Sequence, residues 1–139
     1  MQENTISGKY TPPAGKTLLI VGQDLGSVVG YVEHVWETPG GVTTYTDISD
    51  GGNSPLLYGL SSAANYGSGN VNGQECLDNY PFSVLAIGLS LVDRSGKNLD
   101  HIADGTHDTA IDELGAFLQG ADRPVFLRIG YEFDGPWNH

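Results

Sequence analysis

The sequence predicts an α/β fold built on a parallel β-sheet, in which four strands alternate with helices along the chain. Three of the four predicted strands are apolar throughout, which is typical of strands covered on both faces. Each predicted strand also ends in a polar cluster. Because parallel strands joined by right-handed crossovers all end at the same edge of a sheet, we expect these polar clusters to converge there.

The first predicted strand covers residues 17–21, the apolar run TLLIV, and follows a polar arm at residues 1–16. A helix is predicted at residues 26–36, because valines recur there at helical spacing and Ser27 is a candidate N-cap. The second strand, residues 42–48, is rich in β-branched side chains and therefore weaker as an apolar signal.

A long connection rich in glycine, serine and asparagine follows at residues 51–81, and residues 55–64 are a candidate for a short helix within it. The third strand is predicted at residues 83–92. A second clear helix, from about residue 106 to 119, carries one apolar stripe and stops at Gly120. The fourth strand is predicted at residues 124–131.

Composition restricts the class of protein. The 139 residues carry a net charge of −11, which repels phosphate backbones and makes nucleic-acid binding improbable. No apolar run is long enough to span a membrane. The single cysteine, Cys76, is predicted in a loop without an adjacent base, and no metal-ligand spacing or cofactor motif is present. Few lysines and many polar, uncharged residues favour a secreted or periplasmic protein.

The polar clusters supply the candidate site. They contain Gln23 and Asp24 after the first strand, Asp93 after the third, and Glu132 with Asp134 after the fourth. A glutamate at the carboxyl end of a parallel strand lies where barrel enzymes place catalytic groups. Beside large aromatic residues, such a carboxyl suits a general acid/base in glycoside hydrolysis. The alternative is a solvated glutamate at the end of a strand.

Residues 128–138, RIGYEFDGPWN, resemble the acid/base segment of glycoside hydrolase family 26, which includes mannanases and β-1,3-xylanases. An arginine stands four residues before the family's glutamate, as Arg128 does here, and a glycine and a tryptophan follow it, as Gly135 and Trp137 do. The resemblance implies a retaining (β/α)8-barrel hydrolase with Glu132 as the general acid/base at the end of strand four. The strand-end pair Gly22-Gln23 also resembles that family.

Two positions depart from the family pattern. A histidine normally precedes the glutamate and helps to form the sugar-binding subsite, whereas this chain has Tyr131; an asparagine two residues after the glutamate is here Asp134. The family nucleophile follows strand seven, and a complete barrel needs eight strands and about 250 residues. Residues 17–139 are therefore predicted to form the N-terminal half of a barrel, strands one to four. Such a half lacks the nucleophile, is inactive alone, and self-associates or docks a C-terminal half.

Several residues are predicted to bind substrate, and each has a structural alternative. Asp24 is also a candidate helix cap, Asp93 a turn residue, and Trp137 a core or interface residue instead of a sugar-stacking platform. Arg128 is predicted either to orient Glu132 or to have a buried structural role. The full predicted substrate-binding set is Gln23, Asp24, Asp93, Tyr131, Asp134 and Trp137.

Together these features predict a retaining endo-glycoside hydrolase acting on a β-linked polysaccharide of mannan or xylan type, without metal or organic cofactor. A non-catalytic carbohydrate-binding α/β module is the competing interpretation. A flavodoxin-like protein is disfavoured, because no glycine-rich phosphate loop follows the first strand.

Overall fold

A computed structural model describes residues 11–48, 57–92 and 97–130 of the chain. Its elements, in chain order, are β1 (Ile20–Val21), α1 (Leu25–Val35), β2 (Gly41–Asp47), β3 (Ala64–Asn65), β4 (Asn70–Val71), α2 (Gly73–Asn79), β5 (Val84–Ser90), α3 (Asn98–Ala103), α4 (Asp108–Gly120) and β6 (Val125–Ile129).

The main sheet has four strands in the order β1-β2-β5-β6, and every neighbouring pair is parallel. The prediction of a parallel sheet is therefore confirmed. The order follows the chain in one direction, so right-handed crossovers carry the connecting helices to the same side of the sheet. A doubly wound sheet would reverse direction at a switch point, and the described strands show no such reversal.

The hydrophobic core lies on one face of this sheet, which we call the helix face. The register pairs Val42 with Leu85 and Leu85 with Val125, so these three residues form one row across β2, β5 and β6. Two residues further along the strands, and therefore on the same face, Ile87 pairs with Leu127. These side chains join the core cluster together with residues of the helices. The helical members are Leu25 and Val28 of α1, Cys76 and Leu77 of α2, and Ala110, Leu114, Phe117 and Leu118 of α4.

The opposite face of the sheet, which we call the open face, has a different composition. Side chains alternate along a strand, so the residues between the core positions point to this side. They include Tyr45, Asp47 and Ser90, which are half-buried, and Arg128, which is exposed. Phe126 also lies on this face and does not belong to the core cluster. The open face is therefore polar or small at most of its described positions.

Strand β2 is more important to the core than its sequence suggests. It lies in the middle of the sheet, and Thr43, Thr44 and Thr46 are all buried on it. The hydroxyl of Thr44 donates a 2.8 Å hydrogen bond to the carbonyl oxygen of Gly59. The hydroxyl of Thr46 is buried and has no hydrogen-bond partner in the described part of the chain. One buried hydroxyl thus stabilises the connection after β2, while the other is a cost.

The two threonines allow a stability prediction in which the same substitution has opposite effects. Thr46→Val removes an unsatisfied hydroxyl without changing the side-chain shape, so we expect the free energy of unfolding to rise by about 1 kcal/mol. Thr44→Val removes the bond to Gly59, and we expect unfolding to become easier by about 1 kcal/mol. Urea titrations of both variants measure the two changes. A Thr46→Val variant that loses as much stability as Thr44→Val would contradict this assignment.

The edge strands differ from the prediction. The first strand was expected over residues 17–21 with both faces covered, but β1 comprises only Ile20–Val21. The carbonyl oxygen of Leu19, just before β1, still accepts a hydrogen bond from the Gly41 amide. Leu19 is 50% exposed, and Ile129 at the end of β6 is 64% exposed. The sequence does not reveal this exposure because it does not show which strands lie at the sheet edges. Coverage on both faces is therefore wrong for these residues.

The predictions for the segments that connect the strands are also wrong in part. A short helix was predicted at residues 55–64, but residues 57–63 form turns and irregular backbone, and Ala64 begins β3. Two helices were missed, α2 and α3. Cys76 lies on α2 and is buried, whereas a loop position was predicted. Burial raises the pKa of the Cys76 thiol to about 11, so the thiol remains protonated at neutral pH.

Candidate active site

The carboxyl edge of the sheet is the candidate active site. The four parallel strands end there at Val21, Asp47, Ser90 and Ile129. Strands β5 and β6 end three residues before Asp93 and Glu132, respectively. The chain therefore leaves both strands at the same edge, as the alternation of strands and helices predicted. Five of the predicted site residues lie outside the described residues: Asp93, Tyr131, Glu132, Asp134 and Trp137.

Gln23 and Asp24 are described, and they follow β1 directly. Gln23 is exposed. Asp24 is the N-cap of α1, and its two carboxylate oxygens accept 2.9 Å hydrogen bonds from the backbone amide and the hydroxyl of Ser27. The predicted Ser27 cap is wrong, because Ser27 is the donor in the third position after the cap. The alternative role predicted for Asp24, that of a helix cap, is therefore confirmed. A sugar bound to Asp24 would contact the same two carboxylate oxygens that cap the helix.

These hydrogen bonds also determine the protonation of Asp24. The backbone amide of Ser27 and then its hydroxyl stabilise the carboxylate, so the pKa of Asp24 lies below its ordinary value. A lowered pKa in the folded state contributes stability above the ordinary carboxyl pKa, and that contribution is lost as the pH falls through the folded value. The cap is thus fully charged at neutral pH.

The antiparallel pair β3–β4 forms a hairpin, residues 64–71, that lies beside this cap. A Cβ on Gly69 would lie 2.6 Å from Cβ and Cγ of Asp24, so only glycine permits the approach, and its φ of +124° also favours glycine. The hairpin follows β2 in the chain, and its tip lies against the residues that follow β1. It therefore forms part of the carboxyl edge.

A network of short hydrogen bonds anchors the base of the hairpin. The Gly59 carbonyl accepts bonds from the Thr44 hydroxyl and the Gly73 amide, both at 2.8 Å, and the Gly59 amide donates to the Ser62 carbonyl. A Cβ on Gly59 would lie 2.2 Å from the Tyr45 carbonyl oxygen. Ala64 and Val71 are buried. The hairpin is thus fixed to the centre of the sheet.

Tyr66 is a site candidate that the sequence pattern did not indicate. Its hydroxyl donates a 2.6 Å hydrogen bond to the Tyr58 carbonyl, and the residue is 45% exposed. Strands of two residues give no periodicity, so the hairpin had no pattern to reveal it. The sequence does carry a local pattern for the start of α2, the helix that follows the hairpin. Asn72 and Glu75 have the spacing of an N-cap and its third helical residue, and Asn72 does cap α2.

Arg128 lies on the open face, near the carboxyl end of β6. Register places Gly88 between Tyr45 and Arg128, so the middle strand has no side chain between these two larger residues. Arg128 is exposed within the described chain, and its two predicted roles, orientation of Glu132 and buried structural support, stay predictions. The side chain is exposed because β6 is an edge strand whose open face is not covered within the described chain.

None of the described helices has the length and apolarity needed to cross a membrane. No group of three histidine, cysteine, aspartate or glutamate side chains within the described ranges could hold a metal ion.

The chain is similar in sequence to two known proteins that have the same activity in their names. No protein-family model matches the chain. The chain is 39% identical over 137 residues to the beta-1,3-xylanase TXYA of a Vibrio species, and 39% identical over 135 residues to a beta-1,3-xylanase of an Alcaligenes species. These matches cover 99% and 97% of this chain but only 27% and 26% of the relatives, so the chain spans about a quarter of their length. Similarity at this level relates the chain to glycoside hydrolases.

Proposed function

We propose that this chain is the acid/base-bearing part of a retaining endo-glycoside hydrolase that cleaves β-1,3-linked xylan. The observation that carries the proposal is the similarity to two beta-1,3-xylanases over nearly the whole chain. The Glu132 segment resembles family 26 hydrolases, and it follows a strand that ends at the carboxyl edge. Xylan is preferred over mannan because both relatives bear xylanase names.

The proposed architecture is strands one to four of a (β/α)8 barrel. Three features support it: the four strands of the sheet are parallel, their order follows the chain, and the core cluster of the described residues lies on the helix face. In such barrels, helices cover the outer face and the strands enclose the inner one. The open face would then be the barrel interior, and β1 and β6 would each pair with a strand of the second half.

The mechanism assigns Glu132 two roles. As a general acid it donates a proton to the glycosidic oxygen of the leaving sugar, and as a general base it later activates the water that releases the product. A retaining reaction also needs a carboxylate nucleophile, with the two carboxyl groups about 5–5.5 Å apart. In this proposal the nucleophile comes from the second half of the barrel. Arg128 would orient Glu132 from the same strand.

The proposal is tested by substrate choice. The chain replaces the matching 137-residue segment of the Vibrio xylanase, and the chimera is assayed on β-1,3-xylan, β-1,4-xylan and mannan. We expect reducing ends to appear from β-1,3-xylan and little from the other two polymers. A folded chimera that binds β-1,3-xylan without cleaving it would instead favour a non-catalytic carbohydrate-binding module. A polysaccharide substrate is consistent with a secreted or periplasmic location, which we also propose.

A further inference from the structure

We propose that the hairpin of residues 64–71 carries a separate polysaccharide-binding subsite, with the ring of Tyr66 as its stacking platform. This inference rests on the proposed function for its ligand class, and it assigns a site that the acid/base segment does not include. Its basis is the position, anchoring and exposure of one aromatic residue at the carboxyl edge.

The position of Tyr66 places it within reach of a bound polymer. The hairpin tip lies against Asp24, beside the exposed Gln23. From β1 to β6 there are three strand spacings of about 4.8 Å, so the hairpin end of the edge lies roughly 14 Å along the sheet from the strand that precedes Glu132. A chain of sugars extending from the cleavage position would need to run along this edge to reach Tyr66. The subsite is therefore distal.

The anchoring of Tyr66 makes the ring a preorganised surface. The 2.6 Å bond from its hydroxyl to the Tyr58 carbonyl fixes the end of a side chain that has only two rotatable bonds. The hairpin beneath it is held by the Thr44 and Gly73 bonds to Gly59. Holding the ring in place before binding reduces the entropy lost when a ligand binds.

The surroundings suit a sugar better than a protein surface. The exposed neighbours in the hairpin are small or carry amides. The Asn65 side-chain amide donates a 3.3 Å hydrogen bond to the side-chain oxygen of Asn70, and the Asn65 side-chain oxygen accepts a 2.8 Å bond from the Gly67 backbone amide. Aromatic rings pack on the C–H faces of pyranose rings, while amides and hydroxyls bond to the sugar hydroxyls. A single aromatic ring within a polar rim is too small an apolar area for a stable protein interface.

The test uses the 139-residue chain itself, because the hairpin and its anchors belong wholly to it. Native gels containing β-1,3-xylan, β-1,4-xylan, mannan or no polymer measure retardation of the wild-type chain and three variants. We expect β-1,3-xylan to retard wild type most and Tyr66→Phe slightly less, because this variant keeps the ring but loses the hydroxyl bond that holds it in place. Tyr66→Ala should bind about two- to tenfold more weakly. Phe82→Ala, at an aromatic residue 93% exposed at the amino edge, should match wild type.

Three results would overturn the subsite: equal retardation of wild type and Tyr66→Ala, no retardation of wild type by any polymer, or an equal loss in Phe82→Ala. Circular dichroism of Tyr66→Ala, compared with Tyr66→Phe, shows whether a loss comes from unfolding. Failure of the proposed substrate gives a different pattern. Tyr66-dependent retardation by β-1,4-xylan or mannan alone would retain the subsite and reject β-1,3-xylan as the polymer.

Discussion

Glu132→Gln is expected to lower the rate of β-1,3-xylan cleavage by the chimera by about 10²–10⁴-fold, because a general acid/base contributes a factor of this size. The amide has nearly the shape of the carboxyl but cannot donate the required proton. Polymer binding and folding should remain close to wild type. An aryl xyloside with a good leaving group should lose less rate in the glycosylation step, because that step needs little protonation.

The matched control is Glu113→Gln on α4, an exposed glutamate on the helix side of the sheet. It makes the same chemical change away from the carboxyl edge, so the rate on polymer should not change. If Glu132→Gln cleaved the polymer as fast as Glu113→Gln does, the acid role would belong to another residue.

The isolated 139-residue chain is expected to be hydrolytically inert and to self-associate. Its sheet has two parallel edge strands with exposed apolar side chains, among them Leu19 just before β1, Ile20 on β1 and Ile129 on β6. Unpaired edges of this kind are templates for pairing with another chain. Helix α1 adds the exposed apolar side chains of Val29 and Val35, each 45% exposed, and Trp36, the residue that caps its C-terminus, is 87% exposed.

Light scattering after size exclusion measures the association, and a reducing-sugar assay measures the activity. Two copies would bring together two Glu132 residues but no nucleophile from a seventh strand, so dimerisation alone should not produce cleavage. A monomer at all concentrations would show that the edges are covered within the chain, and would contradict the half-barrel account of them.

The sequence predicts most of the sheet and the longer helices because their signals are local. The apolar run before Ser90 and the helical stripe on α4 are each confirmed within a few residues. The central position of β2 could not be predicted from its residues, since its threonines are buried by neighbours that are distant in the chain. Burial there depends on strand order, which composition does not encode.

The candidate site was predictable in part. Parallel strands require a common carboxyl edge, so the convergence of the strand ends follows from the alternation of strands and helices. The contribution of the hairpin was not predictable. It depends on Gly69 fitting against Asp24 and on the Tyr66 hydroxyl reaching Tyr58, which are contacts between segments without regular patterns.

The central claim, that this chain is half of a two-part active site, is tested most directly by fragment complementation. The 139-residue chain is mixed with a fragment of the Vibrio xylanase that begins where its matching segment ends, and reducing ends released from β-1,3-xylan are measured. The account predicts that neither piece cleaves the polymer alone, that the mixture does, and that Glu132→Gln abolishes the restored activity. Cleavage by the 139-residue chain alone would contradict the account, because the chain would then supply its own second carboxylate.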